Sequence, residues 1–272
     1  MKNGFDLSLA VLLAKLSKVA YEKFEDGNPF FEIKLRALGF RPVGKPFSNA
    51  KTQTQGCLVT NGRIAVLFFR GTEPNHLDVF TDLRLHLRTA ENAGEHEGFF
   101  VALESITNEI ALAMEEVRHL PVYVTGHSLG GALAKAAILD LCEPNWQGCY
   151  TFGSPAICTE QRACANKVPV YLVVNAGDIV PRILSLSPRI GEFLIVCAKG
   201  VRAVAKRLEW KTDDLTKWIE ALEGLLPSLA TYRHFGEIQF IPEGGKIRML
   251  PDHSESMKIF KAVFLRDIKL VF

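Results

Sequence analysis

A chain of 272 residues is long enough to bury a sizeable core, and 48% hydrophobic with 23% charged residues excludes a disordered or fibrous protein. The formal net charge of +2 is too small to argue for a nucleic-acid partner. No apolar run reaches the roughly 18 residues that a membrane-spanning helix needs.

The first stretch, MKNGFDLSLAVLLAKLSKVAYEKF, has the apolar centre of a signal peptide, but Asp6 stands where a basic region belongs and Lys15 and Lys18 interrupt the run. Leu9, Leu12, Leu13, Leu16 and Ala20 share one helical face, which predicts an amphipathic first helix packed on the domain. Lys45 to Gln55 is polar and reads as a loop. GCLVTNGRIAVLFFRGT reads as two strands meeting at Asn61-Gly62, the second, Ile64 to Phe69, apolar throughout like a strand buried on both faces. Apolar residues at 99, 103, 106, 110, 113, 114 and 117 predict one helix from Phe99 to Val117.

PVYVTG is a short strand, and Leu129 to Leu141 a helix rich in alanine. GCYTFGSP, Cys158 to Asn166 and VPVYLVV then read as strand, short helix and buried strand. Such alternation predicts an α/β fold with a parallel or mixed sheet and helices on both faces. Ile183 to Ala230 breaks the rhythm with consecutive helical patterns, GEIQFIPEGGKIRML reads as a hairpin turning near Gly244-Gly245, and Ser254 to Leu265 is a last helix. With no internal repeat or low-complexity linker, residues 1–272 are expected to form one domain with a helical insertion at about 183–232. The cysteines at 57, 142, 149, 158, 164 and 197 lack metal-ligand spacing; with no secretory signal read in the first stretch they are expected to be mostly buried, reduced thiols, and the chain is expected to be cytoplasmic and membrane-peripheral.

The chemistry gathers at VTGHSLGGALAKAA, where Ser128 stands between Gly126 and Gly130 at a strand-to-helix junction. A serine there is either a helix N-cap or a nucleophile. Glycines on both sides suit the second, because a serine on a sharp strained turn leaves no room for side chains at 126 and 130. A serine hydroxyl needs a base, and the base an orienting acid, in the chain order Ser, Asp or Glu, His. Asp178 follows a buried strand in YLVVNAGDIVPRI, whereas Asp213 and Asp214 lie within helical sequence and resemble a cap pair. Downstream histidines are His234, which leads into the predicted hairpin, and His253, in the loop before the last helix; a loop at a sheet end favours His253 as base. His127 reads as scaffold, and His76, His86, His96 and His119 precede the serine. No metal-binding spacing is present. Oxyanion donors are expected at the Leu129 amide and at Thr72 in FFRGTE.

Several blocks in order, LFFRGTE, DVFTDL, HEGF, VTGHSLGGALA, TFGSP, NAGDIVPR, YRHFG and DHS, resemble the class 3 lipases, whose fold is an α/β-hydrolase variant. The resemblance implies Ser128 as nucleophile, Asp178 as acid, His253 as base, Thr72 and Leu129 at the oxyanion, and no cofactor. It also implies a helical lid at about 74–87, carrying Leu77, Val79, Phe80 and Leu83. Val79 and Phe80 depart from the tryptophan usual after the aspartate, and the stretch from Arg182 to Tyr232 is longer than in compact members. Residues 182–211 hold seven basic and two acidic side chains, a net +5, which suits either a helix touching an anionic membrane or lipid-droplet surface or the solvated face of a cap that shapes the acyl pocket. The expectation is a lipase acting on acylglycerols or related lipid esters. Its rivals are a phospholipase A1 and a lipase-like binding module without turnover.

Overall fold

The computed structural model describes residues 4–22, 29–71, 97–141, 143–175, 199 and 234–241. Helix α1 (Leu7–Val19) starts where the Asp6 carboxylate accepts the Leu9 amide. It buries Ala10, Leu13, Ala14, Leu16, Ser17 and Val19, as its apolar stripe predicts. Helix α2 (Pro29–Ala37) turns only Phe31 and Leu35 inward. Among the described residues the strands form a seven-stranded sheet whose spatial order, β1 to β7, is also the chain order. They are β1 (Arg41–Asn49), β2 (Thr54–Thr60), β3 (Ala65–Phe69), β4 (Val122–His127), β5 (Trp146–Phe152), β6 (Val170–Asn175) and β7 (Glu237–Ile241). The first two pairings are antiparallel and the remaining four parallel, giving the mostly parallel mixed sheet expected.

Alternation along the strands divides the core. Leu67 and Phe69 of β3, Val124 of β4 and Leu172 of β6 face α3 (Glu97–Glu104), α4 (Thr107–Glu116) and α5 (Leu129–Asp140). Val66 and Phe68, Tyr150, Phe152 and Val173 face α1 and α2. Every residue of α5 from Leu129 to Leu139 is buried, so this helix is enclosed rather than amphipathic. The four-residue helix α6 (Glu160–Ala163) lies between β5 and β6.

Three sequence expectations change. Lys45 to Gln55 is not a loop, because most of it belongs to β1 and β2. Among the described residues β1 is an edge strand carrying Pro42, Lys45 and Pro46, and its register slips between Val43 and Phe47, where Gly44 takes φ +66°. The predicted helix 99–117 is two helices, interrupted at Ser105-Ile106, where the Ser105 hydroxyl donates to the Ala102 carbonyl. The β2–β3 connection spans residues 61–64 rather than a two-residue turn; Asn61 Oδ1 accepts the amides of Arg63 and Ile64. The second half of the predicted hairpin, the lid, most of the insertion and the last helix lie outside the described residues.

Candidate active site

Strand β4 lies between β3 and β5, and its C-terminal end delivers His127 and then Ser128 to the sheet edge. Ser128 has φ +54° and ψ −124°, a conformation that L-residues rarely hold and that is a source of strain near 1–3 kcal/mol. Its amide donates to the Phe152 carbonyl of β5 at 2.8 Å, and its own carbonyl accepts from Gly131 and Ala132. An N-cap serine would have extended backbone and bind an amide of the first turn through Oγ. Ser128 does neither: the hydroxyl makes no capping bond. It is buried, with no hydrogen-bond partner among the described residues. The N-cap alternative therefore fails.

The flanking glycines are required by close approach. A Cβ on Gly126 would lie 2.3 Å from the Gly130 carbonyl, and one on Gly130 would lie 2.3 Å from the Phe69 carbonyl at the end of β3. The helix start is thus pressed against the ends of two strands. Leu129 is buried at the first position of α5, where amides have no intrahelical acceptor and can serve an oxyanion. Just past β3, a Cβ on Gly71 would come within 2.4 Å of the His127 carbonyl, so the chain leading to Thr72 crosses beside the serine. Thr72 itself, Asp178 and His253 lie outside the described residues. β6 ends at Asn175 on the same sheet edge as Ser128, three residues before Asp178 in the chain.

His127 is scaffold. Its Nδ1 is 2.7 Å from the Tyr21 hydroxyl, and the two rings meet edge-on at 5.8 Å. Burial pushes its pKa down to about 4, so the ring is neutral at physiological pH. Between pH 6.5 and 4 the unfolded chain binds a proton that the folded ring refuses, so stability falls as pH falls through that window. The whole shift is worth roughly 3 kcal/mol, and the ring's residual solvent contact reduces this to on the order of 2 kcal/mol. Unfolding free energies from denaturant titrations at pH 7 and pH 4.5 should therefore separate by about that much more in the wild type than in His127→Asn. Tyr21 was invisible to sequence reasoning, since nothing in its spacing links it to residue 127.

His234 lies at the opposite end of the sheet. Glu237 pairs with Tyr171, Tyr171 with Tyr150 and Tyr150 with Thr125, so His234 stands three residues below that level and Ser128 three above. Six residues of strand span about 20 Å. His234 instead lines a cavity of about 420 Å³ with Glu160, Ala163, Cys164 and Phe235.

Residues 66–187 match the lipase (class 3) family. Over this stretch, under half of the chain, the sequence is similar to class 3 lipases. The stretch contains β3 from Val66 onward, the Ser128 turn, α5 and β6. Among relatives, a lipase of Rhizopus niveus is 28% identical over 163 residues, covering 52% of this chain and 41% of the relative. A lipase of Caenorhabditis elegans is 40% identical over 86 residues, 27% of this chain and 23% of that one. The chain thus spans less than half the length of these curated relatives. A Rhizomucor miehei lipase in complex with its propeptide superposes with a TM-score of 0.60 at 17% identity, over 96% of this chain and 77% of that one. The likeness shows the fold, an α/β-hydrolase fold with a mostly parallel seven-stranded sheet among the described residues.

Proposed function

We propose that the protein is a serine carboxylic ester hydrolase acting on acylglycerols or related lipid esters. The observation that carries this is Ser128: a buried hydroxyl without a partner among the described residues, on a strained turn that two glycines make possible. A fold gains nothing from such a residue, whereas acyl transfer needs one. Support for lipid esters comes from the similarity to class 3 lipases and from relatives that are themselves lipases.

In the proposed reaction Ser128 Oγ attacks the acyl carbonyl while His253 takes its proton and Asp178 orients the imidazole. The Leu129 amide and Thr72 hold the oxyanion. His253 then protonates the leaving alcohol, and water, deprotonated by the same histidine, releases the fatty acid and frees the serine. Nothing in these steps calls for a cofactor. The net +5 of residues 182–211 supports work at an anionic lipid surface, with phospholipid as a second substrate class. Among the described residues no helix is long and apolar enough to cross a membrane. Buried free thiols at Cys57 and Cys149 suit the cytoplasmic location we propose.

The test is hydrolysis of a soluble short-chain ester, emulsified triolein and phospholipid vesicles, with Ser128→Ala as blank. Equal rates on monomeric and aggregated substrate would remove the lipid-surface part. Absence of turnover on all three, with no labelling of Ser128 by a fluorophosphonate, would leave only a binding module. In the same assay His253→Ala should lose about 10³-fold or more, while His234→Ala stays within about twofold of wild type; comparable losses would transfer the base to His234.

A further inference from the structure

One charged side chain lies deep in the fold and has no part in the chemistry above. Lys135 is fully buried on α5, within the helix that begins at Ser128. Its ammonium donates to the Pro155 carbonyl, and no carboxylate among the described residues pairs with it. Its titratable neighbours are the thiols of Cys149 on β5 and Cys158 beyond it. Burial pushes the lysine pKa down to about 8, with the two thiols acting the other way. A methionine would fill similar volume without confining a charge, so the fold is working against itself here.

What the ammonium grips explains its presence. Pro155 belongs to the turn that follows β5, and Ser154 Oγ donates to the same carbonyl at 3.3 Å. Gly131, one helical turn before Lys135 on the same face, meets that turn so closely that a Cβ would sit 2.7 Å from Ser154 Cβ. Immediately upstream, the Phe152 carbonyl accepts the Ser128 amide at 2.8 Å. Turn, helix and nucleophile therefore form a closed loop of contacts, and Lys135 is its charged fastening.

We propose that Lys135 is a positioning residue: its buried ammonium latches the Ser154–Pro155 turn onto α5 and, through the Phe152 carbonyl, holds the Ser128 turn in its strained geometry. The role deepens, and rests on, the assignment of Ser128 as nucleophile. A side chain kept only for packing would be replaceable by Met or Leu at no functional loss. A latch would not be.

The experiment compares wild type, Lys135→Met and Lys135→Leu in three measurements: melting temperature, kcat per site titrated with a fluorophosphonate, and amide exchange at Ser128. Expected for both variants are a melting temperature at or above wild type, a kcat at least tenfold lower with KM within twofold, and Ser128 exchange at least tenfold faster than wild type while β3 amides are unchanged. A wild-type kcat per titrated site in either folded variant overturns the proposal, as does unchanged exchange at Ser128. Failure of both to fold also overturns it, since the lysine would then serve the fold. A wild type that neither hydrolyses ester nor takes up fluorophosphonate defeats the hydrolase assignment alone; the exchange comparison still decides whether Lys135 fastens the turn.

Discussion

Ser128→Gly should abolish ester hydrolysis and at the same time raise the melting temperature. Loss of the hydroxyl removes the nucleophile, and single removals of this kind lower kcat by about 10⁴-fold to 10⁶-fold. The gain in stability has a separate cause. At φ +54° and ψ −124° the serine Cβ is held where only glycine is comfortable. Relief of roughly 1–3 kcal/mol of strain exceeds the extra chain entropy of an unfolded glycine, about 0.5–1 kcal/mol. Ser128→Ala supplies the control, because it loses the hydroxyl and keeps the strain. The glycine variant should be more stable than the alanine variant by about 1 kcal/mol, near 2 °C in a chain of this size. Thermal unfolding of the two side by side measures the strain directly. Equal stability would mean that the turn stores none.

Gly130→Ala should have a large structural effect for a single added methyl group, comparable with that of Gly126→Ala. Its Cβ would sit 2.3 Å from the Phe69 carbonyl and 2.9 Å from the Arg70 carbonyl carbon, and both obstacles are backbone at the end of a central strand. Neither can step aside as a side-chain tip would. The helix start must move, taking the Leu129 amide and the Ser128 turn with it. We expect a loss of about 3 kcal/mol or more, with little fluorophosphonate labelling in whatever still folds. Gly148→Ala is the comparison, since its added Cβ would meet its nearest neighbour at 3.4 Å and should cost under about 1 kcal/mol. Similar melting temperatures for the two variants would remove close packing as the reason for glycine at 130.

These two expectations show how far the sequence alone could reach. The Ser128 turn was legible because its demands are local: a strained residue, glycines where neighbours press in, then a helix. β3 and β6 were legible because strands buried on both faces are apolar over nearly their whole length. β1 was not, since an edge strand has one unpaired side and can carry Pro42, Lys45 and Pro46 without losing its ladder with β2. The break at Ser105-Ile106 was hidden because α3 and α4 continue nearly the same apolar periodicity. The Tyr21–His127 contact joins residues 106 positions apart, and only tertiary packing specifies it. Lys135 was hidden for a related reason: in sequence a lysine in an alanine-rich helix looks solvent-exposed, and only the enclosure of α5 on all sides makes it an internal charge.

The slipped register in β1 reaches beyond this one molecule. A parallel core with an open antiparallel flank offers a row of amides and carbonyls to any extended chain that meets it. Here two prolines withhold amides, a lysine projects charge, and the kink at Gly44 breaks the straight run that a second strand would need to follow. Crowded copies of the protein therefore have no template on that border from which to grow intermolecular sheet. Replacing Pro42, Lys45 and Pro46 by threonine and valine would supply one, turning a border that ends the sheet into one that recruits.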